Sequence, residues 1–154
     1  MKRFLFLIAA LVGLTSCSSL FKNFDSGQKI GEYRIECKYP DDTIAYHAIP
    51  VDSPQLYYLL EKDKVLTESD TAILYLDYPL DKPVIFTIIS GNGFTKGEVI
   101  SIISAKYHDI YEAEKKSPGK YGICCHTINN LVVSLIEVSK RKDGRIVFTT
   151  MIDS

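Results

Sequence analysis

From Ile30 to Tyr39 apolar and polar residues alternate, with Tyr33, Ile35, Cys37 and Tyr39 on one side and Arg34, Glu36 and Lys38 on the other. A period of two marks a strand buried on one face and predicts one here. Pro40-Asp41-Asp42 ends the pattern, and Thr43 to Val51 suits a returning strand, so a hairpin is expected. Ser53-Pro54 has the order of a helix cap and first helical residue and predicts a short helix over Gln55 to Lys62. Its centre, Leu56-Tyr57-Tyr58-Leu59-Leu60, would also suit a buried strand.

Ala72 to Tyr78 and Val84 to Ser90 are rich in β-branched and aromatic residues and flank Pro79-Leu80-Asp81-Lys82-Pro83, which predicts a second hairpin. The clearest helix start follows. Thr95 can cap the first turn, Glu98 can return a bond to the Thr95 backbone, and Phe94 can staple onto Val99. Helical spacing then puts Val99, Ile100, Ile103, Tyr107, Ile110 and Tyr111 on one face until Pro118-Gly119. Leu131 to Lys140 and Arg145 to Ile152 flank Asp143-Gly144, a pair typical of a type I′ turn. These elements predict a single α+β domain, an antiparallel sheet of about six strands with one long amphipathic helix.

The N-terminus has a different pattern. Lys2 and Arg3 precede an unbroken apolar run from Phe4 to Leu14, too short for the roughly 20 residues that span a bilayer. Leu14-Thr15-Ser16-Cys17 then resembles the lipobox of bacterial lipoprotein precursors. The resemblance implies that the Cys17 thiol receives a diacylglycerol, that cleavage before Cys17 removes residues 1–16, and that the freed amine is often acylated too. Two or more acyl chains make a stable anchor where one does not. Residues 17–29, with Ser18, Ser19, Asn23, Asp25, Ser26, Gly27 and Gln28, have the composition of a lipid-anchored tether, leaving 30–154 for the domain. Phe21 and Phe24 within it could touch either the membrane interface or the domain. In two-membrane bacteria an aspartate after the lipidated cysteine retains a lipoprotein at the inner membrane. Ser18 stands there instead, so the expected location is the cell envelope, with the outer membrane favoured.

Charge narrows the partners. The chain has 18 basic and 19 acidic residues, and loss of Lys2 and Arg3 leaves 16 − 19 = −3. An acidic balance argues against nucleic acid, which rewards clustered Lys and Arg, and Lys140-Arg141-Lys142 falls at a hairpin tip where solvation accounts for it. The expected partners are the membrane, through the lipid anchor, and a protein of the envelope. No sequence pattern calls for a cofactor or a metal.

Four places could carry chemistry. Gly91-Asn92-Gly93-Phe94-Thr95-Lys96-Gly97 lies where phosphate loops occur but has neither the Walker nor the dinucleotide spacing, so it reads as a strand-to-helix turn. Cys124-Cys125-His126 sets thiols beside an imidazole, the materials of a cysteine nucleophile, and an envelope enzyme using Cys125 or Cys124 with His126 is the alternative to a binding, scaffold or assembly role. His126 with Asn130 before the apolar strand is a binding candidate, whereas His47 and His108 lack suitable neighbours in the sequence. Tyr121-Gly122, His126, Ile128 and Asn130-Leu131 together resemble a pattern of uncharacterised domains, which implies no activity. Tyr57, Tyr58, Tyr75 and Tyr78 are the tyrosines most suited to a recognition surface. With Cys17 acylated, three thiols remain, and an oxidising compartment predicts a disulfide between Cys37 and either Cys124 or Cys125.

Overall fold

A computed structural model describes residues 24–41, 46–123 and 125–154. The expected leader over 1–16, Cys17, most of the expected tether over 17–29, and Cys124 lie outside the described residues. Where local signals are complete, the chain follows them. Thr95 caps helix α1 (Lys96–Lys116): its hydroxyl accepts from Glu98 N–H at 3.3 Å, and its own N–H donates to the Glu98 carboxylate at 3.4 Å. Glu98 in the first turn and Lys115 and Lys116 in the last suit the helix dipole. Val99, Ile100, Ile103, Tyr107 and Ile110 are buried along one side of α1, and Tyr111 is half-buried.

That side packs on a six-stranded sheet of β1 (Gln28–Arg34), β2 (Ile49–Pro50), β4 (Thr71–Leu76), β5 (Val84–Ile89), β7 (Val132–Lys140) and β8 (Ile146–Asp153). The order is β1-β7-β8-β4-β5, with β2 also on β7. A separate small ladder joins β3 (Val65–Thr67) to β6 (Phe94–Thr95). The fold class is therefore α+β, but the sheet is mixed, not purely antiparallel, because β8 runs parallel to β4. The 21-residue α1 carries the chain back across the sheet, so the β7-β8 hairpin docks with β8 inside, beside β4.

Leu74, Leu76, Ile136, Val138 and Phe148 form the sheet side of the core, and Phe94 meets Phe148 edge to face with centroids 5.4 Å apart. Tyr107 is fully buried and its hydroxyl donates to the Tyr78 carbonyl; burial holds its phenol far above the usual range.

Three local expectations are corrected. The first strand keeps its predicted faces, with Ile35 and Cys37 buried, but β1 pairs with β7 instead of with a following strand. Cys37 and Tyr46 do exchange two backbone bonds, at 2.8 and 2.7 Å, as one rung of the expected hairpin. Beyond it the partner is β7 again. Arg34 faces Leu135, Ile35 N–H donates to Ser134 O, and Ile49 and Pro50 face Val133 and Val132. One edge strand is thus interrupted between Ile35 and Ile49, and the described residues 36–41 and 46–48 form an excursion from it.

The helix expected over Gln55 to Lys62 is absent; the segment is a run of turns. Leu60 N–H donates to Glu36 O and Tyr58 O accepts from Lys38 N–H, so pairing with the excursion outcompetes a short isolated helix. The β7-β8 turn is not type I′, which needs two left-handed residues. Only Gly144 has a positive φ there, 86°, after a turn closed by Gly144 N–H to Arg141 O at 2.9 Å. That is the three-residue loop with a glycine bulge.

Candidate functional site

A cleft of about 540 Å³ opens between α1 and the segment before β7, a size within the usual range for ligand sites. Helix α1 contributes His108, Tyr111, Glu112 and Lys115, whose spacing of three, four and seven places them on one stripe of the helix. A 3₁₀ turn, Ile128–Asn130, and the residues before it contribute His126, Thr127 and Asn129, and Asp52 after β2 closes one end.

His108, His126, Tyr111, Glu112 and Lys115 already have protein partners. His108 Nε2 lies 2.8 Å from the Asp52 carbonyl oxygen and 3.6 Å from its carboxylate. His126 Nε2 lies 3.3 Å from the Tyr78 hydroxyl, which is 2.7 Å from Ser154 Oγ. Tyr111 donates to the His126 carbonyl at 3.1 Å, and Lys115 is paired with Glu112. The connection leading to His126 is fixed by Glu114 near the end of α1. Its carboxylate accepts Gly119 N–H at 2.6 Å and Tyr121 N–H at 2.7 Å. Those bonds, Tyr121 first, hold the Glu114 carboxyl below its ordinary range.

Of the residues singled out from sequence, His126 lines the cleft and Tyr78 supports it. Asn130 does not; its neighbour Asn129 lines the cleft instead, while Asn130 N–H donates to Thr127 O and tightens the turn. Tyr75 is elsewhere, on the other face of the sheet, stacked on Phe24 with centroids 4.3 Å apart. Tyr57 and Tyr58 join Tyr39 and Tyr46 in a run of ring contacts on the loops around the excursion, with Tyr57 85% exposed. The four chosen tyrosines therefore form no common surface.

The thiol expectations fail in part. Cys37 is free and fully buried, so the predicted disulfide between Cys37 and Cys124 or Cys125 is not formed. Cys37 lies in the core cluster and its backbone bridges to Tyr46 and Leu59. Burial pushes its thiol up. Cys125 is disulfide-bonded and exposed. In that state it offers no thiolate, which removes Cys125 as a nucleophile for His126; Cys124 lies outside the described residues. Among the described residues no group of three or more His, Cys, Asp or Glu could hold a metal ion.

The glycine-rich segment is a strand-to-helix turn, as read. Lys96 is turned inward, 2% exposed, with Nζ 3.2 Å from the Leu60 carbonyl and 3.8 Å from Glu61, and burial lowers its pKa. It braces the 56–64 turns and cannot meet a phosphate.

Sequence reasoning missed His108, Asp52 and Glu112. The helical stripe of His108, Tyr111, Glu112 and Lys115 was available from spacing alone, but Asp52 is 56 residues from His108 and only the fold unites them. No family model, no curated protein and no solved structure matches this chain.

Proposed function

We propose that this chain is a cell-envelope lipoprotein, held to its membrane by lipid on Cys17, that binds a ligand or partner protein through the cleft beside His126. The observation that carries the anchoring is the motif Leu14-Thr15-Ser16-Cys17 behind Lys2, Arg3 and the apolar run. A lipid anchor suits a domain in which, among the described residues, no helix is long and apolar enough to cross a membrane. Binding is favoured over catalysis because the cleft presents imidazoles, a carboxylate, an ammonium and the Tyr111 phenol already fixed by protein partners, while Cys125 is disulfide-bonded.

The test is membrane fractionation of cells making wild type and Cys17→Ala, followed by affinity purification from the solubilised membranes. Wild type should sediment with membranes and retain a partner that Glu112→Arg loses. A wild type found in the soluble fraction contradicts the anchoring, and an unchanged set of partners in Glu112→Arg contradicts the cleft.

A further inference from the structure

The face of the sheet turned away from α1 has its own apolar surface, distinct from the core. Register places Ile85, Thr87 and Ile89 of β5, Ile73 and Tyr75 of β4, and Val147, Thr149 and Met151 of β8 on it. Its middle is covered: Ile73 is 6% and Val147 0% exposed. Its margin is bare. Ile85 is 48%, Met151 55% and Ile89 76% exposed.

The chain itself leads to this face. Phe24 stacks flat on Tyr75, 4.3 Å between centroids at 11°, and three residues later Gly27 lies against the backbone of Lys140 and Arg141, where an added Cβ would come within 2.7 Å of Arg141 Cα. Between β4 and the end of β7 lies β8, so residues 24–27 cross over it on the outer face before entering β1. The tether is therefore shorter than the expected residues 17–29, because its last part is docked. From Cys17 to Phe24 is 24 − 17 = 7 residues, a reach of at most about 25 Å when fully extended. Any anchor on Cys17 is joined to the domain at Phe24, on this face.

We propose that the outer face of the sheet lies on the lipid surface, with Ile85, Ile89 and Met151 entering its interfacial layer around Phe24, so that α1 and the His126 cleft point away from the membrane. The inference rests on the anchoring by Cys17 and adds an orientation to it. The apolar contact is confined to the β4, β5 and β8 part of the face, because its β1 and β7 part carries Lys29, Glu32, Arg34 and Glu137. Lys29 is paired with both Glu32 and Glu137, which leaves that group net negative and gives anionic headgroups little to add, so zwitterionic lipid is the surface proposed.

The chain contains no tryptophan, which allows a single reporter. Lipidated full-length protein carrying Ile89→Trp, or Tyr57→Trp as the control on the distant loops, is reconstituted in phosphatidylcholine vesicles with or without bromine on the acyl chains. Both positions are exposed, so neither change disturbs the core. The Ile89→Trp emission should shift to the blue on vesicles and lose most of its intensity to brominated chains, while Tyr57→Trp does neither. An Ile89→Trp signal unquenched by bromine but open to iodide, on protein that still floats with the vesicles, overturns the orientation and leaves the anchoring standing. Protein that does not float overturns the anchoring and the orientation with it. A blue shift that needs no vesicles, in protein that sediments as a dimer, assigns the face to a second copy and also overturns the proposal.

Discussion

At the scale of single residues, the reciprocal bonds of Thr95 and Glu98 satisfy two backbone donors that α1 would otherwise leave open. Thr95→Ala is expected to lower unfolding free energy by about 1 kcal/mol, within the usual range for a lost cap. Urea denaturation followed by circular dichroism checks it, and an unchanged midpoint would mean that the ladder of β3 and β6 sets the start of α1 unaided. The cysteines give a second residue-scale test. Cys37 is fully buried with its thiol pushed up in pKa, and Cys125 is in a disulfide. Native protein should therefore leave Cys37 untouched by a thiol reagent, and unfolding without reductant should release it while Cys125 stays silent. Cys125 labelling in unreduced, unfolded protein would contradict the assignment.

At the scale of elements, the legible parts were those whose information is local. The capping box and the apolar stripe of α1 lie within one segment, as do the hairpins β4-β5 and β7-β8, and each formed where its residues indicated. The helix expected at Gln55 to Lys62 failed because its competitor was not local: Leu60 N–H reaches Glu36 O across the excursion. The same reason hid the interrupted edge strand, since nothing in Ile30 to Val51 says that both halves pair with β7. Half of the cleft was legible as a helical stripe, whereas Asp52 and the Tyr78 contact to His126 depend on the sheet being built first. Glu114 belongs to this scale too, because its carboxylate ties the end of α1 to the connection that carries His126. Its folded pKa is depressed, so its contribution is present above the unfolded carboxyl value, near 4, and is lost as pH falls through the lower folded value. Glu114→Gln should be less stable than wild type at neutral pH, and thermal melts should converge as the solution is acidified well below the ordinary carboxyl range. A gap that persists in acid would assign the effect to packing instead of charge.

At the scale of the whole molecule, the sheet divides the protein into two environments. One face carries α1, the core and the cleft; the other carries Phe24 stacked on Tyr75 and the exposed side chains of Ile85, Ile89 and Met151. In the proposed function the chain is anchored at this second face and binds at the first, and the anchoring depends on Cys17. The most direct test is the intact mass of the protein extracted from membranes with detergent. The account predicts that residues 1–16 are gone and that the mature chain, beginning at Cys17, is heavier by a diacylglycerol, with or without an acyl group on its amine. A chain that keeps its leader, is cleaved elsewhere, or begins at an unmodified Cys17 would contradict it.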